Sequence, residues 1–436
     1  MTTILFDATR LLRRGGRRSP TGIDRVVLAY ARWLLEQTDV KLIPVWTWGE
    51  RVIRISDRRF TVIMRSTLAA GSDGRSPAGH PQWPRLMRAL MTSGAGEPGI
   101  RPSSSQPGDG RRTAARFDIS LRFLRSLGPM TLPRGAVYIN VGHSGLDQPA
   151  LLARLDRAGI RPVVMIHDLI PITYPEFCGP GAAARHHRRL DSVLQHAAAI
   201  LTNSVATADD VRDYASARAL TAPSIFVAPL GLEPSFVAPL NDPIAALPYF
   251  VCVGTIEPRK NLVMLLKIWR RLAERMGPAT PRLVLVGRRG WENETVLDHL
   301  QRSPPVKQFV HEIADLHDDE LARLIRGARA LLAPSAAEGF DLPVVEALAL
   351  STPVIASDIP AHRELAHGAM LLDATDGPAW FREISAAASR PRRRAPPFTP
   401  PTWSDHFKIV QQAISHGDDA TTGSVGEIRR PRIREG

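Results

Sequence analysis

The sequence predicts an α/β protein of two doubly wound domains, each a parallel sheet covered by helices on both faces. Three observations carry this. Short, fully apolar runs alternate with amphipathic segments along most of the chain, the pattern of strands buried on both faces. The alternation stops at LGLEPSFVAPLNDPIAALP (230–248), where four prolines fall without periodicity, and then restarts. The length of 436 residues suits two or three domains.

The elements follow in order. ILFDA (4–8) reads as a first strand and GIDRVVLAYARWLLEQ (22–37) as an amphipathic helix. After a polar stretch come a strand AVYIN (136–140), a helix near 147–158 and a strand PVVMIHD (162–168). A helix at about 181–197, the strand AAILTN (198–203), a helix from Ser204 and the strand SIFVAP (224–229) complete the first series. The second series runs through YFVCVGT (249–255), a helix from about Asn261, RLVLVG (282–287), a helix near 292–300 and a strand VKQFVHEI (306–313). Helical LARLIRGA (321–328) precedes the strands ALLAPS (330–335), PVIAS (353–357) and AMLLD (369–373). A last helix, TWSDHFKIVQQAIS (402–415), is expected to pack back on the first domain. Two such sheets facing each other set their carboxyl ends along one cleft, where ligands bind.

Composition narrows the function classes. An apolar fraction of 44% with 23% charged residues excludes wholesale disorder. No apolar run approaches the roughly 20 residues that span a bilayer, and the opening MTTILFDATRLLRRGG has too short an apolar stretch for a signal peptide. Cys178 and Cys252 alone support neither a disulfide framework nor a cysteine zinc site, so a reducing cytoplasm is expected. The net charge of +13 is carried mainly by arginine, lysine occurring only at 41, 260, 267, 307 and 408. Much of the excess lies in 66–134 and in RPRRRAPPFTPPT (390–402), stretches too poor in apolar residues to offset the entropy of ordering. They are expected to be a solvated, disordered insertion and a connector. No aromatic-interleaved basic motif or zinc-finger spacing supports nucleic acid as a partner.

Two segments carry chemistry. In SAAEGFDLPVVEALALSTPVIASDIPAHREL (335–365), Glu338 sits in a loop after a strand, Gly339 permits unusual backbone angles, and Pro343 suits a first helical turn. Glu346 follows eight positions after Glu338. The arrangement aims a helix N-terminus at one spot, which suits an anion; the two carboxylates suit paired hydroxyls of a sugar and a ribose. The plainer alternative is a dipole-favouring Glu346 and a solvated Glu338. In VGTIEPRKN (253–261), Gly254 ends a strand and Arg259 and Lys260 stand at a helix start. Cations there oppose the macrodipole, which is better explained if they reach phosphate oxygens in the cleft than if they extend into solvent.

GTIEPRKNL (254–262), LVLVGRRG (283–290) and the EGFDLPVVEA block (338–347), an E-x7-E motif followed by STPVIASDIPAHREL, resemble the retaining glycosyltransferases of family 4, which have the GT-B fold and include bacterial mannosyltransferases. The resemblance covers about 248–373. It is looser in the first half, through PTGIDRV (20–26), IHDLIPITYPEF (166–177) and ILTNS (200–204), and returns at TWSDHF. It implies that Arg259 and Lys260 bind the donor diphosphate, and that Glu338 contacts the donor sugar. The N–H groups of Gly339, Phe340, Asp341 and Leu342 would surround sugar and phosphate, and Glu346 would take the ribose hydroxyls. His167 would stand near the transferred sugar, Gly22 would let the first domain approach the diphosphate, and Gly254 would belong to the donor loop. His186 and His187 read as surface helix residues.

The implied organisation is an acceptor-side domain over 1–230 with the insertion at 66–134, a linker at 231–248 and a nucleotide-sugar domain over 249–388. A Pro/Arg-rich connector (389–401), a returning helix (402–416) and a tail (417–436) follow. The implied activity is retaining, metal-independent hexosyl transfer from a nucleotide sugar, GDP-mannose first among donors, to a cell-surface glycan or lipid-linked oligosaccharide, with no cofactor. No Asp-x-Asp metal motif occurs in the sequence. A nucleotide-sugar enzyme of epimerase type and a non-catalytic partner subunit stay open as alternatives. The crowded basic residues Arg13, Arg14, Arg17 and Arg18 are expected at the cleft edge, meeting an anionic acceptor or the inner face of the cell membrane; the plainer alternative is a solvated loop.

Overall fold

A computed structural model describes residues 1–14, 22–72, 80–91, 99–102, 130–238 and 247–416. Among them the first sheet holds β1 (Thr2–Asp7), β2 (Val40–Trp48), β3 (Arg51–Arg54), β4 (Val137–Asn140), β5 (Arg161–Ile166), β6 (Ala199–Thr202) and β7 (Ser224–Val227), in the order β3-β2-β1-β4-β5-β6-β7. The second holds β8 (Tyr249–Val253), β9 (Arg282–Val286), β10 (Val310–Ile313), β11 (Ala330–Ala333), β12 (Val354–Ser357) and β13 (Met370–Leu372), in the order β10-β9-β8-β11-β12-β13. Neighbours pair in parallel, except the β2–β3 hairpin. Strand order reverses beside β1 and β4 in one sheet and beside β8 and β11 in the other. Crevices open at these switch points, off the strands' carboxyl ends.

Buried apolar side chains explain the layers. Helix Gly22–Glu36 buries Val26, Val27, Tyr30, Ala31 and Leu34, one face at helical spacing. The helix expected from Ser204 spans Val205–Ala217, with Ser204 Oγ accepting from Thr207 N at 3.1 Å as its cap. The C-terminal helix Trp403–Ser415 does return to the first domain: Phe407 stacks on Trp33 with centroids 4.6 Å apart, and His406 Nε2 lies 2.9 Å from the Tyr30 hydroxyl. A Cβ on Gly231 would lie 2.3 Å from Trp403 N, so this docking requires glycine.

Three features depart from expectation. The hairpin of β2 and β3 is not among the elements read from the sequence; Pro44 lies just before the β2 residues that pair with β3, where its missing N–H does no harm. The expected strand 306–313 is a helix over Pro304–Phe309 and a strand only from Val310, since Pro304 and Pro305 open a helical turn and Val306 and Phe309 bury one face. Within 66–134, expected to be disordered throughout, Trp83–Met91 is helical and buries Leu86, Ala89 and Leu90. Residues 99–102 extend β10 at its edge: Glu312 N donates to Ile100 O at 2.8 Å, and Arg101 Nη1 donates to Val310 O at 2.7 Å. Residues 73–79, 92–98 and 103–129 of that stretch lie outside the described residues, as does the tail from 417.

Candidate active site

The second domain's half of the site is built on tight backbone. Gly254 leaves β8 at φ 146°, and a Cβ there would lie 2.7 Å from Lys260 Cε, so the strand end is open only to glycine. The following 3-10 turn, Pro258–Lys260, ends at Asn261, which is left-handed (φ 50°) and whose Nδ2 donates to Ala374 O at 2.9 Å. This turn lays Arg259 and Lys260 over the carboxyl ends of β8 and β11.

Both cations converge on Glu338. Arg259 Nη1 lies 2.5 Å from Glu338 Oε2, and Lys260 Nζ lies 2.6 Å from Oε1, an ion pair off the hydrogen-bonding direction. Arg259 also donates to Ala337 O at 2.7 Å and to Glu257 Oε1 at 2.8 Å. Burial pushes the Glu338 carboxyl up, but Arg259 and Lys260 outweigh it and hold the group below its ordinary range. Neither basic residue is the solvent-extended cation of the plainer alternative: burial opposes each charge, yet the carboxylates around them raise both.

Asp341 closes the cluster from the left-handed region (φ 62°), immediately before helix Leu342–Ala349. Its Oδ1 lies 3.3 Å from Lys260 Nζ, and its Oδ2 lies 2.9 Å from His362 Nε2. His362 Nδ1 faces Ser357 O at 2.8 Å. With an acceptor at each ring nitrogen, the imidazolium is favoured despite burial. Sequence reading gave Asp341 only a backbone role and missed His362. Phe340 is buried and contributes packing.

Glu346 sits one helical face further on, buried and pushed up to about 7 by burial, although Arg25 opposes that shift. Its partner is Arg25 Nη1 at 3.1 Å, from the first domain.

The two domains touch at Gly339. A Cβ there would lie 2.1 Å from His167 O and 3.0 Å from Asp168 Cβ, and Ser204 Oγ donates to Gly339 O at 2.6 Å. His167, at the carboxyl end of β5, is therefore brought against the Glu338 loop. Its Nε2 donates to Val141 O at 2.8 Å, which leaves the lone pair on Nδ1, and burial lowers its pKa to about 4, so the ring is neutral. Asp168, not singled out from sequence, is half-buried and raised by desolvation, with Arg259 opposing. Gly22 opens its helix across from Leu342, where a Cβ would make only ordinary contact at 3.9 Å; the approach that demands glycine is at Gly339.

Behind His167 lies a second cluster. The His143 ring is 4.9 Å from that of His167 and 6.3 Å from that of His186. His186 is thus not a surface residue: it is buried, donates from Nε2 to Asp168 O at 3.1 Å and accepts from Arg189 Nη1 at 2.6 Å. A signal for this was present, because His186, Leu190, Val193 and Leu194 share one helical face. Nearby, Asp7 Oδ2 accepts from Tyr138 Oη at 2.7 Å, and Asn140 Nδ2 donates both to that hydroxyl and to the carbonyl of Ser144, the residue after His143. Arg13 is exposed at the first domain's cleft edge; Arg17 and Arg18, with the Arg14 side chain, lie outside the described residues.

Two Rossmann-like domains facing across a cleft, with a charged cluster at the second switch point, are the GT-B architecture. Residues 247–389 match the family described as Glycosyl transferases group 1. The chain is 28% identical over 311 residues to the serotype-specific mannosyltransferase WbdA of Escherichia coli, covering 65% of this chain and 37% of that protein. It is 28% identical over 233 residues to the O-antigen chain mannosyltransferase B of Escherichia coli, covering 50% and 58% respectively. The chain thus spans little more than a third of the WbdA length. A crystal structure of an α,α-trehalose-phosphate synthase (UDP-forming) from Burkholderia vietnamiensis superimposes with a TM-score of 0.47 at 14% identity, over 64% of this chain and 69% of that one. No described helix is long and apolar enough to cross a membrane.

Proposed function

We propose that the protein is a retaining, metal-independent glycosyltransferase that moves mannose from GDP-mannose to a growing cell-surface glycan or a lipid-linked oligosaccharide. The observation that carries this reading is Glu338, buried between Arg259 and Lys260 and set against His167 by the contact at Gly339. An incoming diphosphate competes with Glu338 for the two cations, and the released carboxylate turns to the sugar hydroxyls. Arg259, Lys260 and the N-terminus of helix Leu342–Ala349 then stabilise charge developing on the leaving diphosphate. The bond from the anomeric carbon to the diphosphate oxygen breaks as the acceptor oxygen adds on the same face, and the acceptor proton passes to the departing phosphate. His167 accepts a sugar hydroxyl at Nδ1, and Glu346 takes the ribose. The likeness to mannosyltransferases supports the sugar. The arginines at 13, 14, 17 and 18 attract an anionic leaflet by about 1 kcal/mol each and hold the enzyme at the inner membrane face.

Calorimetric titration with GDP and UDP, followed by hydrolysis of a nucleotide-sugar panel, tests the reading. GDP should bind, and GDP-mannose should be turned over with its anomeric configuration retained by proton NMR. Absence of binding by either nucleotide at millimolar concentration overturns it, and binding without any turnover turns it toward a partner subunit.

A further inference from the structure

Beside the carboxyl ends of β1 and β4 lies a cavity of about 440 Å³ whose walls include Arg10, Arg13, Asp24, His143, Asp147 and Arg189. We propose that it binds an oxyanion carried by the acceptor, a phosphoryl group on a sugar, with Arg189 as its anchor. This deepens the glycosyltransferase reading and rests on it.

The charges point to an anion. Three arginines face two aspartates, and Arg10 with Asp24 already forms a pair at 2.7 Å. Arg13 and Arg189 are left against Asp147, a surplus of one positive charge. Arg189 is the telling residue. Among the described residues it makes no ion pair, its only hydrogen bond is the one from Nη1 to His186, and its buried Nε has no partner. Burial works against its charge, with Asp147 and Asp168 opposing only from a distance. A half-buried guanidinium without a carboxylate in contact is costly unless a ligand supplies the counter-charge, and its planar fork matches a phosphoryl group.

The surrounding rings favour a sugar. His143 donates from Nε2 to Met165 O at 2.9 Å, and burial holds it well below its ordinary range. Neutral His143 therefore adds no charge and keeps a lone pair on Nδ1 for a hydroxyl. The volume exceeds what one phosphate fills and is in the range of small-molecule sites. Because the rings of His143 and His167 are in contact, a ligand here lies one side chain away from the Glu338 loop.

The test is titration with mannose 1-phosphate, inorganic phosphate and free mannose, each with GDP saturating the donor site. Mannose 1-phosphate should bind, inorganic phosphate more weakly, and mannose not measurably. Arg189→Gln should weaken mannose 1-phosphate at least tenfold and Arg189→Lys less. Arg13→Gln, on an exposed side chain that leaves the fold alone, should weaken it several-fold. Equal affinity for mannose and mannose 1-phosphate, or no change in either glutamine variant, overturns the proposal. Sedimentation with phosphatidylglycerol vesicles separates the acceptor's phosphate from a bilayer's: vesicle binding lost in Arg189→Gln with mannose 1-phosphate affinity unchanged also overturns it. If GDP itself fails to bind, the glycosyltransferase reading falls; if GDP binds and the phosphate does not, only this inference falls.

Discussion

Arg25 and Glu346 stand 321 positions apart in the chain, yet Arg25 Nη1 donates to Glu346 Oε1 at 3.1 Å while its Nη2 donates to Asp318 Oδ1 at 2.5 Å. The carboxylate assigned to the ribose is thus held by the opposite domain. One guanidinium couples the contact between the domains to the charge on Glu346.

That coupling has a pH signature. Folded, Glu346 protonates near 7 rather than near its ordinary 4.5, so between these values the folded chain binds more protons than the unfolded one. The stability from this group is full below about 4.5 and is lost as pH rises through about 7, in all about 3 kcal/mol. Thermal midpoints measured from pH 4.5 to 8 should show this slope in the wild type and lose it in Glu346→Gln; Arg25→Gln should move the window upward. Identical pH profiles for wild type and Glu346→Gln would refute the shift.

Lys260, proposed to bind the diphosphate, also has a structural role as the cation between Glu338 and Asp341. Lys260→Ala leaves Glu338 and Asp341 buried with one cation fewer, and breaking a buried pair in this way costs about 3–5 kcal/mol. Urea denaturation should register that loss. Adding Glu338→Gln to Lys260→Ala should recover part of the stability while nucleoside-diphosphate binding stays lost.

Glu338 and Glu346 should differ in kind. Glu346→Gln is expected to raise the donor KM with kcat little changed, because a ribose contact is made equally before and during reaction. Glu338→Gln is expected to lower kcat by about 10²-fold, as loss of one stabilising group at the reacting centre does. Steady-state kinetics on the donor decide this, and purely KM effects in both would reject the division.

Gly339→Ala should cut activity by at least 10²-fold without unfolding either domain. The added Cβ would meet His167 O at 2.1 Å, so the domains must part at the point where Glu338 faces His167, and a misplacement of about 1 Å can carry such a cost. Small-angle scattering should show a larger radius of gyration with unchanged circular dichroism.

EDTA should leave transfer by the wild type nearly intact. Full loss restored by Mg²⁺ would mean that the diphosphate is neutralised by metal rather than by Arg259 and Lys260.

The second domain was legible because its chemistry is local. Gly254, Arg259 and Lys260 lie on one strand-to-turn segment, and Glu338 to Glu346 on one loop and helix, so each group shows as a local pattern even though the two meet only in the fold. The first domain's contributions were not. Arg189 follows a run of polar residues that looks solvated, yet it is half-buried and shares a cavity with Gly142, His143 and Asp147, which follow another strand. Arg25 looks like one more surface arginine until Glu346 and Asp318 are set against it. In each case the partner is distant in sequence, and nothing in a local pattern encodes the meeting.

The returning helix Trp403–Ser415 has a mechanical consequence. The chain passes from the first domain to the second through 231–248 and comes back through 390–402, and the second passage is pinned where Phe407 stacks on Trp33 and His406 meets Tyr30. One passage would act as a ball joint, free to swivel in any direction. A second, pinned passage removes rotational freedom that a lone linker would leave, so the returning helix narrows the ways in which one domain can turn against the other.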